Sequence, residues 1–506
     1  MIGELYERFL ALERRERLMR REIAGVRYWH LVRFYVFMRT VLPKFVKLDA
    51  AHPDFELPAA GKPTFLDRVA GKFRRWMIAF AGATVHHPGF AFRRRDVLFS
   101  MTPRQADLGD GRKTSLLLDF FAPMLKSRSA LLEIVLRTGP TRQPFGRRVL
   151  WLRESRRRFD ACAASREFAE TAVARRQEAE VLARLFSEEY GIGIAAEEIT
   201  AHVDYALLTR AAYLPMFRKL LRRMSPKVVV TAVQYYTPTF ILTEAAHELG
   251  IAVVELQHGT VYPEHAAYNL PEAGSVYSPD VFLAWGEYWV SQMRNYPNGV
   301  SVPVGYPYLE RCWDLCPPAR HTDGHPLQIL FVSQGTVGRE LASRAAELRK
   351  LLPAKRFSVL YKLHPNETKT WRARYPFLVD SDVEVVENTA RNIYQCLQLA
   401  DVTVGVNSTA VIEGFQWGRK AFVFRDLPGA ELMSKFCDGC QAEFVDSASD
   451  LAQRLVALSQ TERVSGPQFD ASRFWRPRAA ESIASFIDSQ VAEKSAANAS
   501  KSHSPR

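Results

Sequence analysis

Residues 357–424 constrain the fold most. A strand-like run, Phe357-Ser358-Val359-Leu360-Tyr361, breaks into Lys362-Leu363-His364-Pro365-Asn366-Glu367. Further on, a second apolar run ends in Gly405-Val406-Asn407-Ser408-Thr409 and leads to Glu413-Gly414. A third run, at 420–424, closes the stretch. Two strand-to-loop-to-helix switches of this kind build a nucleotide site, because ligands of α/β sheets sit outside the carboxyl ends of the strands. Asn407, Ser408 and Thr409 are strong N-cap formers, so they set free backbone N–H groups at a helix start, which suits a phosphate. His364, whose following proline stops the strand, adds a charge-assisted hydrogen bond to the same anion, with Lys362 beside it. Glu413 falls one helical turn after Thr409 on the same face and is placed to accept from ribose hydroxyls. The plainer alternative makes His364 a strand cap and Ser408 and Thr409 a helix cap. The two motifs in this order, inside one βαβ pattern, favour the ligand site.

The same rhythm extends upstream. Short apolar runs at 96–100, 227–231, 251–256, 280–284 and 327–333 each give way to a polar loop, and helical patterns follow several of them. Alternation of this sort predicts parallel sheets and an α/β class. The pattern divides the chain into a basic helical segment (1–95), a first Rossmann-like domain (96–310) with a helical insertion (156–224), and a second Rossmann-like domain (327–460). Helices at 461–490 and a disordered tail at 491–506 follow. A chain of 506 residues is ample for two such cores.

Charge is unevenly placed. Residues 1–95 carry 19 Lys and Arg against 9 Asp and Glu, and the remainder 49 against 46. In the first segment Arg14-Arg15, Arg20-Arg21 and Arg93-Arg94-Arg95 alternate with Trp29, Phe34, Tyr35, Phe37, Trp76 and Phe80. Such a patch suits an anionic membrane surface or a plain basic helical face. It carries no familiar nucleic-acid motif, so nucleic acid is not expected as a partner. No apolar run is long enough to span a bilayer, and the N-terminus lacks a signal-peptide layout, so a cytoplasmic location, peripheral at the inner membrane, is expected. Six cysteines without dense spacing fit reduced thiols. Cys437-Asp438-Gly439-Cys440 is a lone CxxC without a second pair.

A second site is centred on Gln257-His258-Gly259-Thr260, where a strand meets a loop. Histidine titrates near pH 6.5 and can act as a general base at neutral pH. Glu255, Glu264 and His265 are rival bases, with Asp107, Asp110 and Asp119 as loosely placed carboxylates. Gln334-Gly335-Thr336 forms a glycine-bearing loop that resembles the first such loop of glycosyltransferase donor domains, where backbone amides meet donor or acceptor. Asp380-Ser381-Asp382 has the spacing of a metal-holding pair, but its place after Tyr375-Pro376 reads as a solvated turn. No cofactor and no metal are expected.

The 357–424 stretch resembles the C-terminal nucleotide-binding domain of GT-B glycosyltransferases. The nearest branch holds bacterial sialyltransferases, β-Kdo capsule transferases and CDP-glycerol glycerophosphotransferases. That branch holds the donor phosphate with a His-Pro pair and a Ser/Thr pair, here His364-Pro365 and Ser408-Thr409. The quartet at 257–260 is similar to the Trp-His-Gly-Thr motif of the glycerophosphotransferases, with Gln257 in place of Trp. The resemblance implies two Rossmann-like domains facing across a cleft, 96–310 as the acceptor domain and 327–460 as the nucleotide-donor domain. It also implies metal-independent transfer of a sugar from a cytidine-type nucleotide donor to a surface polysaccharide or lipid-linked glycan. The Glu-x7-Glu pattern of many retaining enzymes is missing, since Gly405 stands eight residues before Glu413, and inversion is expected. UDP-sugar epimerases of a related fold also carry a His-Pro pair, so a nucleotide-sugar epimerase or hydrolase is the alternative activity. A non-catalytic scaffold of polysaccharide export is the alternative outside enzymes.

Overall fold

The computed structural model describes residues 2–46, 94–101, 105–107, 113–135, 149–153, 156–319, 325–387, 390–438, 441–460 and 469–502. The expected helix at 66–83, Trp76, Phe80, Arg93, Asp110 and Cys440 lie outside them.

Seven strands form the first sheet: β1 (Val97–Met101), β2 (Ser129–Val135), β3 (Val149–Arg153), β4 (Val228–Ala232), β5 (Ala252–Leu256), β6 (Val281–Ala284) and β7 (Val300–Pro303). Their order is β7-β6-β5-β4-β1-β2-β3, and every pairing is parallel. Every residue of β4, β5 and β6 is buried, as continuous apolar runs covered on both faces must be. The second sheet holds β8 (Leu327–Val332), β9 (Phe357–Lys362), β10 (Glu384–Val386), β11 (Val402–Val404), β12 (Lys420–Phe424) and β13 (Ala442–Val445). It is ordered β10-β9-β8-β11-β12-β13 and is also parallel throughout. Both sheets therefore carry the doubly wound order, reversing direction between β1 and β4 and between β8 and β11. This is the expected fold class: two Rossmann-like domains with an added N-terminal segment.

The linking segments bind the domains to each other. Phe474 stacks on Tyr288 with ring centres 4.3 Å apart, and its carbonyl accepts from Trp289 Nε1 at 2.8 Å. A Cβ on Gly286 would stand 2.4 Å from the Arg473 carbonyl, and one on Gly305 (φ 97°) 2.1 Å from that of Arg476. Glycine is required where the returning chain passes so closely. The last helix (Ala479–Ser502) lays Ile483, Ala484 and Ile487 against Val97, Phe99, Val228 and Val230 of the first domain. It continues as helix through 491–502, where the composition suggested disorder.

The N-terminal segment corrects an expectation. Helix α1 (Ile2–Arg15) buries Leu5, Tyr6, Phe9, Leu10 and Leu12, and α2 (Trp29–Tyr35) buries Trp29, Leu31, Val32 and Phe34. These side chains and Phe37 join the helices Ala172–Tyr190 and Ala196–Met224 in one apolar cluster, with Trp29 stacked 5.7 Å from Phe186. Trp29, Phe34 and Phe37 are thus core, not a membrane-facing set. The arginines stay at the surface, where Arg15 pairs with Glu189, Arg20 with Glu272 and Arg21 with Glu178. Arg33 and Glu13 form a buried pair at 2.8 Å, and Glu13 also accepts from Trp29 Nε1 at 2.6 Å.

Candidate functional site

The carboxyl end of β4 turns at Val233, whose φ of 58° is the left-handed region that a β-branched side chain disfavours. Strain of this kind costs about 1–3 kcal/mol and persists only where neighbours hold it. Here the turn aims the Gln234 N–H at Glu255 Oε1, 3.0 Å away. The Gln234 side chain is buried and anchored: it accepts from Thr231 Oγ1 and donates to Thr243 Oγ1 and the Tyr277 carbonyl. Tyr235 then brings its hydroxyl to 3.1 Å from His258 Nε2.

His258 follows β5 and is half-buried. Its Nδ1 lies 3.2 Å from the Tyr268 hydroxyl, which is itself 3.0 Å from Glu255 Oε1. Glu255 is fully buried and takes a further hydrogen bond from Tyr296 OH. Burial pushes the Glu255 carboxyl up to about 7, against the three donors that favour its charged form. Gln257 braces the same loop, its Oε1 accepting from the Trp285 N–H and its Nε2 donating to the Gly259 carbonyl, both at 2.8 Å. Of the rival bases, Glu255 lies behind His258 and is reached through Tyr268. His265 is held down to about 4 by burial and stacks on Phe34. Glu264 is raised by burial, with Lys435 of the second domain among the charges near it. Asp119 caps the Ser115 N–H at 2.7 Å. Asp107 lies in the strand Gln105–Asp107.

In the second domain the loops after β9, β8, β11 and β12 lie side by side, following the sheet order. Gln334 Nε2 donates to Asn407 Oδ1 at 3.2 Å, so the bond spans the point where the strand order reverses. Gly429 (φ 85°), on the loop after β12, sits against the same oxygen: its Cβ would be 3.3 Å away. Among the described residues, Gln334 Oε1 is buried without a donor. Gly335 and Thr336 complete that loop and lead into the helix Gly338–Leu351. The His-Pro turn is fixed by Glu367, which accepts from the His364 N–H at 2.8 Å and from Tyr375 OH at 2.6 Å. His364 Nδ1 faces the Asn366 N–H at 3.3 Å, which leaves Nε2 as the protonated nitrogen. Ser408 occupies the N-cap of the short helix Thr409–Gly414 in extended conformation, and its side chain makes no cap hydrogen bond.

Two predicted residues are placed elsewhere. Lys362 is buried at the end of β9 with Nζ 3.5 Å from the Val386 carbonyl, and burial lowers it to about 8. Glu413 is 4% exposed, accepts from Tyr394 OH at 3.0 Å, and is pushed up to about 8 by burial. Asp380 and Asp382 are exposed on a turn, and Cys437 is a free thiol. No group of side chains suited to a metal occurs among the described residues. Sequence reasoning missed Tyr235, Tyr268, Tyr296 and Glu367. Glu367 alone carried a signal, three residues after a histidine that ends a strand.

No protein-family model matches the chain, and no curated protein matches it in sequence. Solved structures with a similar course of chain include UDP-GlcNAc 2-epimerase from Neisseria meningitidis, at 13% identity and TM-score 0.42 over 78% of this chain and 99% of that one. A putative UDP-N-acetylglucosamine 2-epimerase from Listeria monocytogenes has 10% identity and TM-score 0.48, over 79% and 97%. MurG from Acinetobacter baumannii has 13% identity and TM-score 0.43, over 78% and 99%. Identities this low carry no activity across.

Proposed function

We propose that this chain is an inverting glycosyltransferase that moves a sugar from a nucleotide-activated donor to a bacterial surface polysaccharide or lipid-linked glycan. The observation that carries the reading is the braced His258 at the carboxyl edge of one sheet, combined with the Gln334–Asn407 bond across the switch point of the other. His258 takes the proton of the acceptor hydroxyl as its oxygen attacks the anomeric carbon. The bond from that carbon to the donor phosphate breaks on the opposite face, and its electron pair stays with the phosphate oxygen. His364 Nε2–H, the Ser408 and Thr409 hydroxyls and the amides that follow them meet the charge that develops there. Gln334 Oε1, buried without a donor, suits an N–H or hydroxyl of the nucleotide. Resemblance of residues 357–424 to cytidine-nucleotide enzymes favours a CMP- or CDP-type donor. Glu413 reaches a ribose hydroxyl once Tyr394 gives way.

Thermal shift with CMP, CDP, UDP and GDP on wild type and His364→Ala tests the donor site. A nucleotide at a hundred times its dissociation constant adds about 2.7 kcal/mol of stability. One nucleotide should stabilise wild type and fail on the variant. If none stabilises wild type, the donor site is refuted. Turnover of the matching nucleotide sugar without any acceptor would replace transfer by epimerisation or hydrolysis.

A further inference from the structure

We propose that Tyr268 is a positioning residue that, with Glu255 behind it, keeps the imidazole proton of His258 on Nδ1 and leaves Nε2 as the basic nitrogen. The inference rests on the reading of His258 as the base. An ionised carboxylate only accepts hydrogen bonds, so above about pH 7 the Tyr268 proton points to Glu255 Oε1, 3.0 Å away. The Tyr268 oxygen is then an acceptor toward His258 Nδ1 at 3.2 Å, and that nitrogen must carry the hydrogen. Nε2 keeps its lone pair, which meets the Tyr235 hydroxyl at 3.1 Å in the resting protein. An acceptor hydroxyl takes that place and gives its proton to Nε2. The resulting imidazolium faces a tyrosine oxygen backed by a carboxylate, so its charge is stabilised without direct contact with the acid.

Tyr268 is held in this role from every side. It is 2% exposed, with Phe282 and Tyr296 edge-on at 5.5 and 5.3 Å. Arg33 donates to the carbonyls of Ala266 and Asn269, on either side of Tyr268, and Tyr6 OH donates to Asn269. The buried Arg33–Glu13 pair thus anchors the backbone that presents the tyrosine. Glu255 is fixed from its far side by Tyr296 and from the strained Val233 turn by the Gln234 N–H.

The test is the proton position itself. The full chain labelled with 15N-histidine is examined by long-range 1H–15N correlation at about pH 8, and the His258 signals are those lost in His258→Asn. Wild type should show Nδ1 protonated and Nε2 bare. Tyr268→Phe removes the acceptor and should move the proton largely to Nε2, the nitrogen preferred by free neutral imidazole, with at least a tenfold fall in kcat. Where Tyr268→Phe unfolds, Glu255→Leu gives the same reading: it removes the acceptor of the Tyr268 proton, which frees the phenol proton for Nδ1. A wild-type Nε2–H form overturns the proposal, as does a folded Tyr268→Phe or Glu255→Leu protein that keeps Nδ1–H. The spectrum reads the proton whether or not sugar is transferred. Failure of the transferase reading therefore shows in the nucleotide and turnover assays, and failure of the relay shows here.

Discussion

At the scale of single residues, His258 and Glu413 separate two uses of burial. His258 is half-buried and bonded at both nitrogens, so its ring is aimed. His258→Asn should lower kcat by about 10²–10⁴-fold, the usual reach of a general base, while nucleotide-induced thermal shift is retained. Glu413 is sealed, and the folded protein holds its proton more tightly than the unfolded chain, where the carboxyl titrates near 4.5. Its contribution to stability is therefore whole below about pH 4.5 and is lost as pH rises toward 8. At 1.36 kcal/mol per pKa unit the loss is on the order of a few kcal/mol. Glu413→Gln keeps an acceptor for Tyr394 and should melt higher than wild type at about pH 9 but alike at about pH 4. Scanning calorimetry at both values checks this, and equal melting at pH 9 would show that Glu413 is already charged in the fold.

At the scale of elements, glycine and carboxylate together set the His-Pro turn. A Cβ on Gly338 would lie 2.3 Å from Glu367 Oε1 and 2.4 Å from Tyr375 OH, which donates to that oxygen while Glu367 Oε2 holds the His364 N–H. Gly338→Ala should cost about 1–3 kcal/mol, as overpacking does, and weaken nucleotide binding with it. Urea titration with and without nucleotide measures both. The strands and the loops after β8, β9 and β11 were legible in the sequence because buried parallel strands read as apolar runs and loops read as Asn, Ser, Gly and Pro. The brace behind His258 was not. Tyr268 and Tyr296 stand in irregular chain with no periodicity, and only tertiary folding brings them to Glu255. Lys362 and Glu413 misled for a related reason: sequence spacing gives the face of an element but not what covers it. The N-terminal aromatics read as part of an exposed patch because Phe186, which covers Trp29, lies far along the chain.

At the scale of the molecule, both ends of the chain close on the first domain. Ile487 is fully buried beneath the first sheet, so Ile487→Ala should cost about 2–5 kcal/mol in urea unfolding, although it belongs to the last helix. Breaking the other closure by Arg33→Ala leaves Glu13 charged and buried and should cost about 3–5 kcal/mol by the same measurement. These closures also impose an order on synthesis. Arg33 bonds to carbonyls 233 and 236 residues downstream. At about 5–20 residues per second a ribosome needs roughly 10–50 s to supply them. For that interval Arg33 and the Tyr6 hydroxyl have emerged without the carbonyls that they bond. The segment around Arg33 settles only after its partners at 266 and 269 are made, and until then its apolar face is open to a nascent-chain chaperone.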